Sequence, residues 1–185
     1  MPATMEAERK IELINGREFM MAPAAGTLHN SVGMNLAWII RGYLRGKRCK
    51  VFYETEVWLD EANHFIPDLL ILCDRSKIRP GHIEGAPDLV IEILSPSTRK
   101  NDVGEKKDAY ERSGVKEYWL VSPKEETVDV YLLKDGKFVV DNSYHNYSED
   151  EWEGLSEAAR AAAKLSLKVS LYDDFEIQVK DIFED

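Results

Sequence analysis

Two acidic residues stand where strands should hold apolar side chains. In "APDLVIEILSPS" (86–97), Glu92 interrupts Val90, Ile91, Ile93 and Leu94; in "HFIPDLLILCD" (64–74), Asp68 sits among Phe65, Ile66, Leu69, Leu70, Ile71 and Leu72. An ionised carboxylate in such surroundings costs several kcal/mol unless it is paired or binds a metal. If the two strands are neighbours, the carboxylates converge, and they repel unless a cation or a shared proton lies between them. Two carboxylates, a main-chain carbonyl and waters make an oxygen-only site of the kind Mg²⁺ or Mn²⁺ takes. Such an ion generates hydroxide and stabilises charge on a phosphate. The competing reading of Glu92 is a structural ion pair or a strand end that reaches solvent.

A cation for this site is at hand in "NDVGEKKDAYERSG" (101–114). On a helix Asp102, Lys106 and Tyr110 are i, i+4 and i+8 and share one face. Asn101 or Asp102 caps that helix, which runs to about Ser113 and ends at Gly114. Lys106 then points back towards Glu92, where it can orient a water or stabilise developing negative charge. The plainer reading makes Lys106 an exposed cation paired with Asp102, and Asp102 with Glu105 a capping box. His29, at a helix start, is either a contact to substrate phosphate or a helix-start residue. Asp88 faces the same side as Glu92 but lies roughly 13 Å further back, so it reads as a strand-entry residue.

Basic residues cluster in "RGYLRGKRCK" (41–50), which holds Arg41, Arg45, Lys47, Arg48 and Lys50 and no acid. They form either a phosphate-contacting patch or a solvated helix end that suits the helix dipole. Arg75, Lys77 and Arg79 are a second cluster, read as lying near the mouth of the site.

The elements that must position these residues follow from periodicity and turn chemistry. "RKIELINGREFMM" alternates around Asn15-Gly16, a hairpin signal. Leu28, Val32, Leu36, Ile39, Ile40 and Tyr43 recur at helical spacing, predicting a helix over 27–45 with Gly46 as its stop. "KVFYETEVWLD", "HFIPDLLILCD" and "PDLVIEIL" read as three successive strands. "EYWLVSP", "TVDVYLLKDG" and "KFVVDNSYHNY" read as three more, with Asp135-Gly136 as a turn. "EDEWEGLSEAARAAAKL" reads as a late helix, and "FEIQVKDIFED" is ambiguous. With no repeat, linker or composition break, the expectation is one α/β or mixed α+β domain over residues 1–185.

Composition narrows the function. The chain has 185 residues, 44% of them apolar, and 24 basic against 34 acidic side chains give a net charge of −10. That charge argues against loose, sequence-independent nucleic-acid binding but leaves room for a local basic cleft. There is no phosphate-binding glycine loop, no GxSxG elbow, no HExxH and no paired CxxC. Cys49 and Cys73 suggest neither a metal site nor a disulfide framework, so a reducing cytoplasm is expected. No apolar run approaches roughly 18 residues and "MPATMEAERK" lacks a signal core, so no membrane association is expected.

The pattern "IPDLLIL…GAPDLVIEILSPSTRKNDVGEKKDAYERSGVKEYWLVSP…VDVYLL", together with "IELINGREFMMAP" and the histidine at 29, resembles the Uma-two family of bacterial restriction-endonuclease-like proteins, long classed as a domain of unknown function and assigned to the PD-(D/E)XK nuclease superfamily. The likeness is dense from about Glu12 to Leu133. It implies a restriction-endonuclease-like core, a central mixed β-sheet flanked by helices with an N-terminal hairpin, a divalent metal site and phosphodiester hydrolysis. Pro67-Asp68 matches the "PD" of the motif, and Glu92-Ile93-Leu94 matches "(D/E)XK" with Leu94 where the lysine should be. In this family the lysine is moved to the following helix, which gives the role to Lys106, with Lys107 as the other candidate. The metal ligands implied are Asp68, Glu92 and the Ile93 carbonyl. Glu12 resembles an early family glutamate that serves as an accessory ligand or orienter, and His29, Asp102 and Tyr110 are further accessory candidates.

These readings lead to an expected Mg²⁺- or Mn²⁺-dependent endonuclease acting on DNA, with Arg45, Lys47, Arg48 and Lys77 as nucleic-acid contacts. A homodimer is expected if both strands of a duplex are cut. The alternative is a catalytically inactive nuclease-fold protein that serves as a binding or interaction module.

Overall fold

The computed structural model describes residues 10–21 and 26–184. The absence of a signal core at residues 1–9 and the end of the hairpin signature at 22–23 lie outside the described residues. Strands β1 (Ile11–Ile14) and β2 (Arg17–Met20) form the expected hairpin. Asn15 and Gly16 between them both have positive φ, 49° and 75°, which is why Asn-Gly suits this turn. Helix α1 (Thr27–Leu44) follows and buries Val32, Gly33, Leu36, Ile40 and Leu44. Five strands come next: β3 (Lys50–Tyr53), β4 (Glu56–Asp60), β5 (Asn63–Phe65), β6 (Leu69–Leu72) and β7 (His82–Glu84). Strand β8 (Leu89–Ile93) leads through α2 (Arg99–Asp102) and α3 (Glu105–Ser113) to β9 (Glu117–Ser122), β10 (Thr127–Lys134) and β11 (Lys137–His145). The chain continues through α4 (Glu149–Gly154), α5 (Glu157–Ala162), β12 (Ser166–Lys168), β13 (Glu176–Gln178) and α6 (Val179–Phe183).

The central sheet is mixed, in the order β11-β10-β9-β8-β6-β3. Its parallel pair is β8 with β9, and α2 and α3 supply the crossover a parallel pair needs. A second sheet, β2-β1-β5-β4-β7, lies on the other side of α3. Because side chains alternate along a strand, β8 serves two cores. Leu89, Ile91 and Ile93 pack with α1, α6, β12 and β13, whereas Val90 packs with Ala109 and Tyr110 of α3 and with Ile14, Val57 and Phe65 of the second sheet. Glu92 follows the Val90 parity and therefore enters the layer between the sheets.

Several elements depart from the sequence reading. "KVFYETEVWLD" is two strands, because Glu54 takes a positive φ of 42° and sends β4 into the second sheet. "HFIPDLLILCD" likewise divides into β5 and β6 around Ile66-Pro67-Asp68; Pro67 has no N–H to give a ladder. The helix over 101–113 is two helices, with Gly104 rather than Asn101 or Asp102 at the N-cap of α3 and Gly114 as expected at its left-handed end, φ 85°. The late helix is also two, the second capped by Ser156, whose side chain accepts from the Ala159 N–H. The ambiguous tail resolves into β13 and α6.

Cys49 and Cys73 form a disulfide, correcting the expectation that they stay unpaired. The β3–β6 register pairs Lys50 with Leu72, and the cysteines come one residue beyond that pair. Their separation of 24 residues gave no sign of this; the opposition is made by strand pairing.

Candidate active site

The site begins with one register. Strands β6 and β8 pair antiparallel as Leu69↔Ile91, Leu70↔Val90 and Ile71↔Leu89. Continued one residue, this register sets Asp68 opposite Glu92, and residues so opposed have Cβ atoms roughly 4.5–5.5 Å apart. The Asp68 carboxylate closes onto β8, with Oδ2 accepting from the Ile93 N–H at 2.7 Å. Pro67 breaks the strand, so Asp68 stands at a sheet margin, where its side chain remains 16% exposed. From the other face of the sheet, α1 brings His29 Nε2 to 3.3 Å from Asp68 Oδ1. The close approach of α1 is possible because Gly33 lies against Ile93 and Tyr53; a Cβ there would come within 3.3 Å of the Ile93 side chain.

Glu92 is buried, and so are Glu12, Asp102 and Lys106. Lys106 Nζ lies 2.8 Å from Glu92 Oε1, 3.0 Å from Glu12 Oε1 and 3.3 Å from Asp102 Oδ1. Four elements thus meet at one ammonium: β1, β8, α2 and α3. Tyr110, one turn after Lys106, donates its hydroxyl to Glu92 Oε1 at 3.0 Å. Glu12 Oε1 also accepts from the Ile66 N–H at 2.9 Å, fastening β1 to the connection that carries Asp68. The Tyr118 hydroxyl donates to the Asp102 carbonyl at 2.8 Å and holds the end of α2.

Electrostatics follow from this packing. One ammonium faces three carboxylates in a dry layer, where removing charge from water is costly. Burial pushes Glu92 well above the usual carboxylate range; Lys106 opposes that rise, while Asp102, Asp68 and Glu12 add to it. Burial also raises Asp102 against the pull of Lys106. For Lys106 burial works against the charge, but Glu92, Glu12 and Asp102 outweigh it and keep the ammonium protonated. Burial lowers His29, yet Asp68, the Ile93 carbonyl and Glu54 together bring it above its ordinary value.

The structure therefore brings Glu12, Glu92, Asp102, Lys106 and Tyr110 together, and sets Asp68 and His29 beside them. Asp102 is no capping residue; it ends α2 inside the cluster. Lys107 points elsewhere, its ammonium 3.7 Å from the centre of the Tyr131 ring. Asp88 is a strand-entry residue that accepts from the Cys73 N–H and pairs with Lys116. Tyr118 and the Ile66 N–H had no signal in the sequence, since one read as an ordinary strand residue and the other is main chain.

The second basic cluster is not at the mouth. Arg75, Lys77 and Arg79 follow the far end of β6 from Asp68, where Lys77 donates to the Ala86 carbonyl and Arg79 pairs with Glu84. Arg48 donates to the Cys73 carbonyl at that same end, and Lys47 lies over the Tyr43 and Tyr172 rings. Of the four expected nucleic-acid contacts, Arg45 alone is left with an exposed side chain and no partner among the described residues.

In chemical type, Asp68, Glu92 and the Ile93 carbonyl match a hard divalent cation. Among the described residues, no three His, Cys, Asp or Glu side chains gather closely enough to hold an ion by themselves. No described helix is long and apolar enough to cross a membrane.

Comparison with known proteins agrees with this architecture. The chain resembles the crystal structure of a "putative nuclease belonging to DUF820" from Anabaena variabilis, with a TM-score of 0.71 at 22% identity over 99% of this chain and 93% of that one. It is 26% identical over 161 residues to the uncharacterized protein slr1290 of Synechocystis, covering 86% of this chain and 77% of the relative. The sequence model of the Uma2 family, described as "Putative restriction endonuclease", matches residues 1–166, and the chain belongs to that family.

Proposed function

We propose that this protein is a divalent-metal-dependent endonuclease that hydrolyses phosphodiester bonds of DNA within one nuclease-like domain spanning residues 1–185. The observation that carries the reading is the convergence of Lys106 on Glu92, 2.8 Å apart, beside an Asp68 carboxylate bonded to the next residue of β8. Membership of a family described as "Putative restriction endonuclease" supports the same conclusion.

Asp68 and Glu92, with the Ile93 carbonyl, would hold Mg²⁺ or Mn²⁺. When bound, that ion supplies charge neutralisation at the phosphate and an activated water. Lys106 offsets part of the buried carboxylate charge and sets a cation behind Glu92, which would favour developing negative charge on the phosphate. Glu12 and Asp102 hold the ammonium in place, Tyr110 orients the Glu92 carboxylate, and His29 orients Asp68. Cleavage of both strands calls for two sites, so the working unit is proposed as a homodimer.

One observation favours a second reading. Lys106 already neutralises Glu92 and Glu12 directly, as a purely structural ion pair in an inactive binding module would. Calorimetric titration with Mn²⁺ separates the two. The nuclease reading expects wild type to bind the ion and Asp68→Asn to weaken binding about tenfold or more, as loss of a ligand or its support does. Equal affinity in both proteins leaves the ion pair as the whole explanation.

A further inference from the structure

We infer that the solvent face of α1 is a docking stripe for the nucleic-acid strand that leaves the active site, with Trp38 stacking on an unpaired base and Arg41 and Arg45 holding backbone phosphates. The inference rests on the nuclease reading and extends it to a surface that the catalytic cluster does not touch.

Helix α1 is two-sided. Val32, Leu36, Ile40 and Leu44 face the sheet and are buried. On the opposite side Met34 is 65% exposed and Trp38 79% exposed. A lone exposed apolar residue is ordinary, but an indole with a thioether one turn away is a patch. Arg41 and Arg45 continue it at i+3 and i+7 from Trp38, roughly 5 and 10 Å along the axis. Both arginines are exposed, and among the described residues neither side chain has an ion-pair or hydrogen-bond partner.

Charge selects the occupant. From Phe19 to Tyr53 the chain has no Asp or Glu but carries Arg41, Arg45, Lys47, Arg48 and Lys50, in a protein whose net charge is −10. A second copy meeting this face through its own α1 would oppose like charges, which is penalised at interfaces. A polyanion with an exposed base meets the arginines with phosphate and the indole with a π-face. Stacking reads no sequence, so this stripe adds affinity and direction without base specificity.

Position ties the stripe to the chemistry. The first turn of the same helix places His29 against Asp68. Trp38 is nine residues on, roughly 14 Å along the axis and half a rotation away. A single strand bound at Asp68 would cross over α1 from its first turn to reach Trp38 on the outer side and then the arginines.

The test uses the full chain and a fluorescein-labelled single-stranded DNA oligonucleotide, followed by anisotropy in EDTA so that binding is read without cleavage. Trp38→Ala should weaken binding by about fivefold to a hundredfold. Arg41→Ala/Arg45→Ala should reduce the slope of log affinity against log salt by about 1.4, two phosphates' worth for a single strand. Wild-type binding by both variants overturns the inference and leaves the nuclease reading intact if Mg²⁺-dependent nicking persists. Loss of a dimer in sedimentation for Trp38→Ala, with oligonucleotide binding unchanged, overturns it in favour of a self-interface. Absence of binding by wild type also overturns it. If the variants bind more weakly as expected but no metal supports cleavage, the stripe stands and the nuclease reading falls.

Discussion

At the scale of residues, the centre of the molecule is a cluster of three buried carboxylates whose charge a single ammonium offsets in part. Glu12, Glu92 and Asp102 are buried around Lys106. Exposed ion pairs contribute little, but removing one partner of a buried set strands the others without water. Lys106→Met should therefore cost about 3–5 kcal/mol, measured by urea denaturation at neutral pH. A second change, Glu92→Gln, should recover part of that loss by removing one stranded carboxylate. A cost below about 1 kcal/mol would make Lys106 no more than a surface-type pair. Much of this cluster was legible in the sequence. The i, i+4, i+8 spacing of Asp102, Lys106 and Tyr110, and a charge within each of two apolar runs, mark five of the participants. Glu12 was not legible by itself, because an alternating hairpin strand gives an acidic residue no reason to face inward; only the family resemblance singled it out.

At the scale of elements, the α2–α3 junction decides where Lys106 points. Asp102 closes α2 and Lys106 opens α3, and the break between them turns on Gly104. A Cβ on Gly104 would come within 2.9 Å of the Lys100 carbonyl oxygen, a main-chain atom that cannot swing aside. Gly104→Ala should destabilise the protein by about 1–3 kcal/mol and lower cleavage with it, because the first turn of α3 carries the lysine. An unchanged melting temperature would show that the junction relaxes freely. Gly104 marks this break in the sequence, but the i, i+4, i+8 spacing of Asp102, Lys106 and Tyr110 runs across it and reads as one helix. The strand divisions at Glu54 and Pro67 did leave marks, the polar Glu54-Thr55-Glu56 and a proline that cannot join a ladder, but the choice between sheets is made by long-range pairing. Asn15-Gly16, Asp135-Gly136 and Gly114 were legible because their turns demand positive φ, and all of them have it.

At the scale of the whole molecule, two sheets and the helices between and around them bring the margin of one strand pair to the surface while closing its far end with a disulfide. Cys49–Cys73 ties β3 to β6 across a separation of 24 residues. Closing a loop of that length stabilises by about 3 kcal/mol, chiefly through the unfolded chain. Thermal unfolding with and without reductant should show that difference, and nicking should be insensitive to it, since Asp68 lies at the other end of β6. Equal melting temperatures in both conditions would contradict a structural role for the bond.

The central claim is that Asp68, Glu92 and Lys106 form a hydrolytic site. Nicking of supercoiled plasmid DNA tests it most directly, run with Mg²⁺, with Mn²⁺ and with EDTA on wild type, Asp68→Asn, Glu92→Gln and Lys106→Met, each first checked for native circular dichroism. Expected is cleavage by wild type that requires the metal and falls by about a hundredfold or more in every folded variant, the scale of losing a group that acts at the reacting centre. Wild-type nicking no faster than Glu92→Gln in either metal would contradict it.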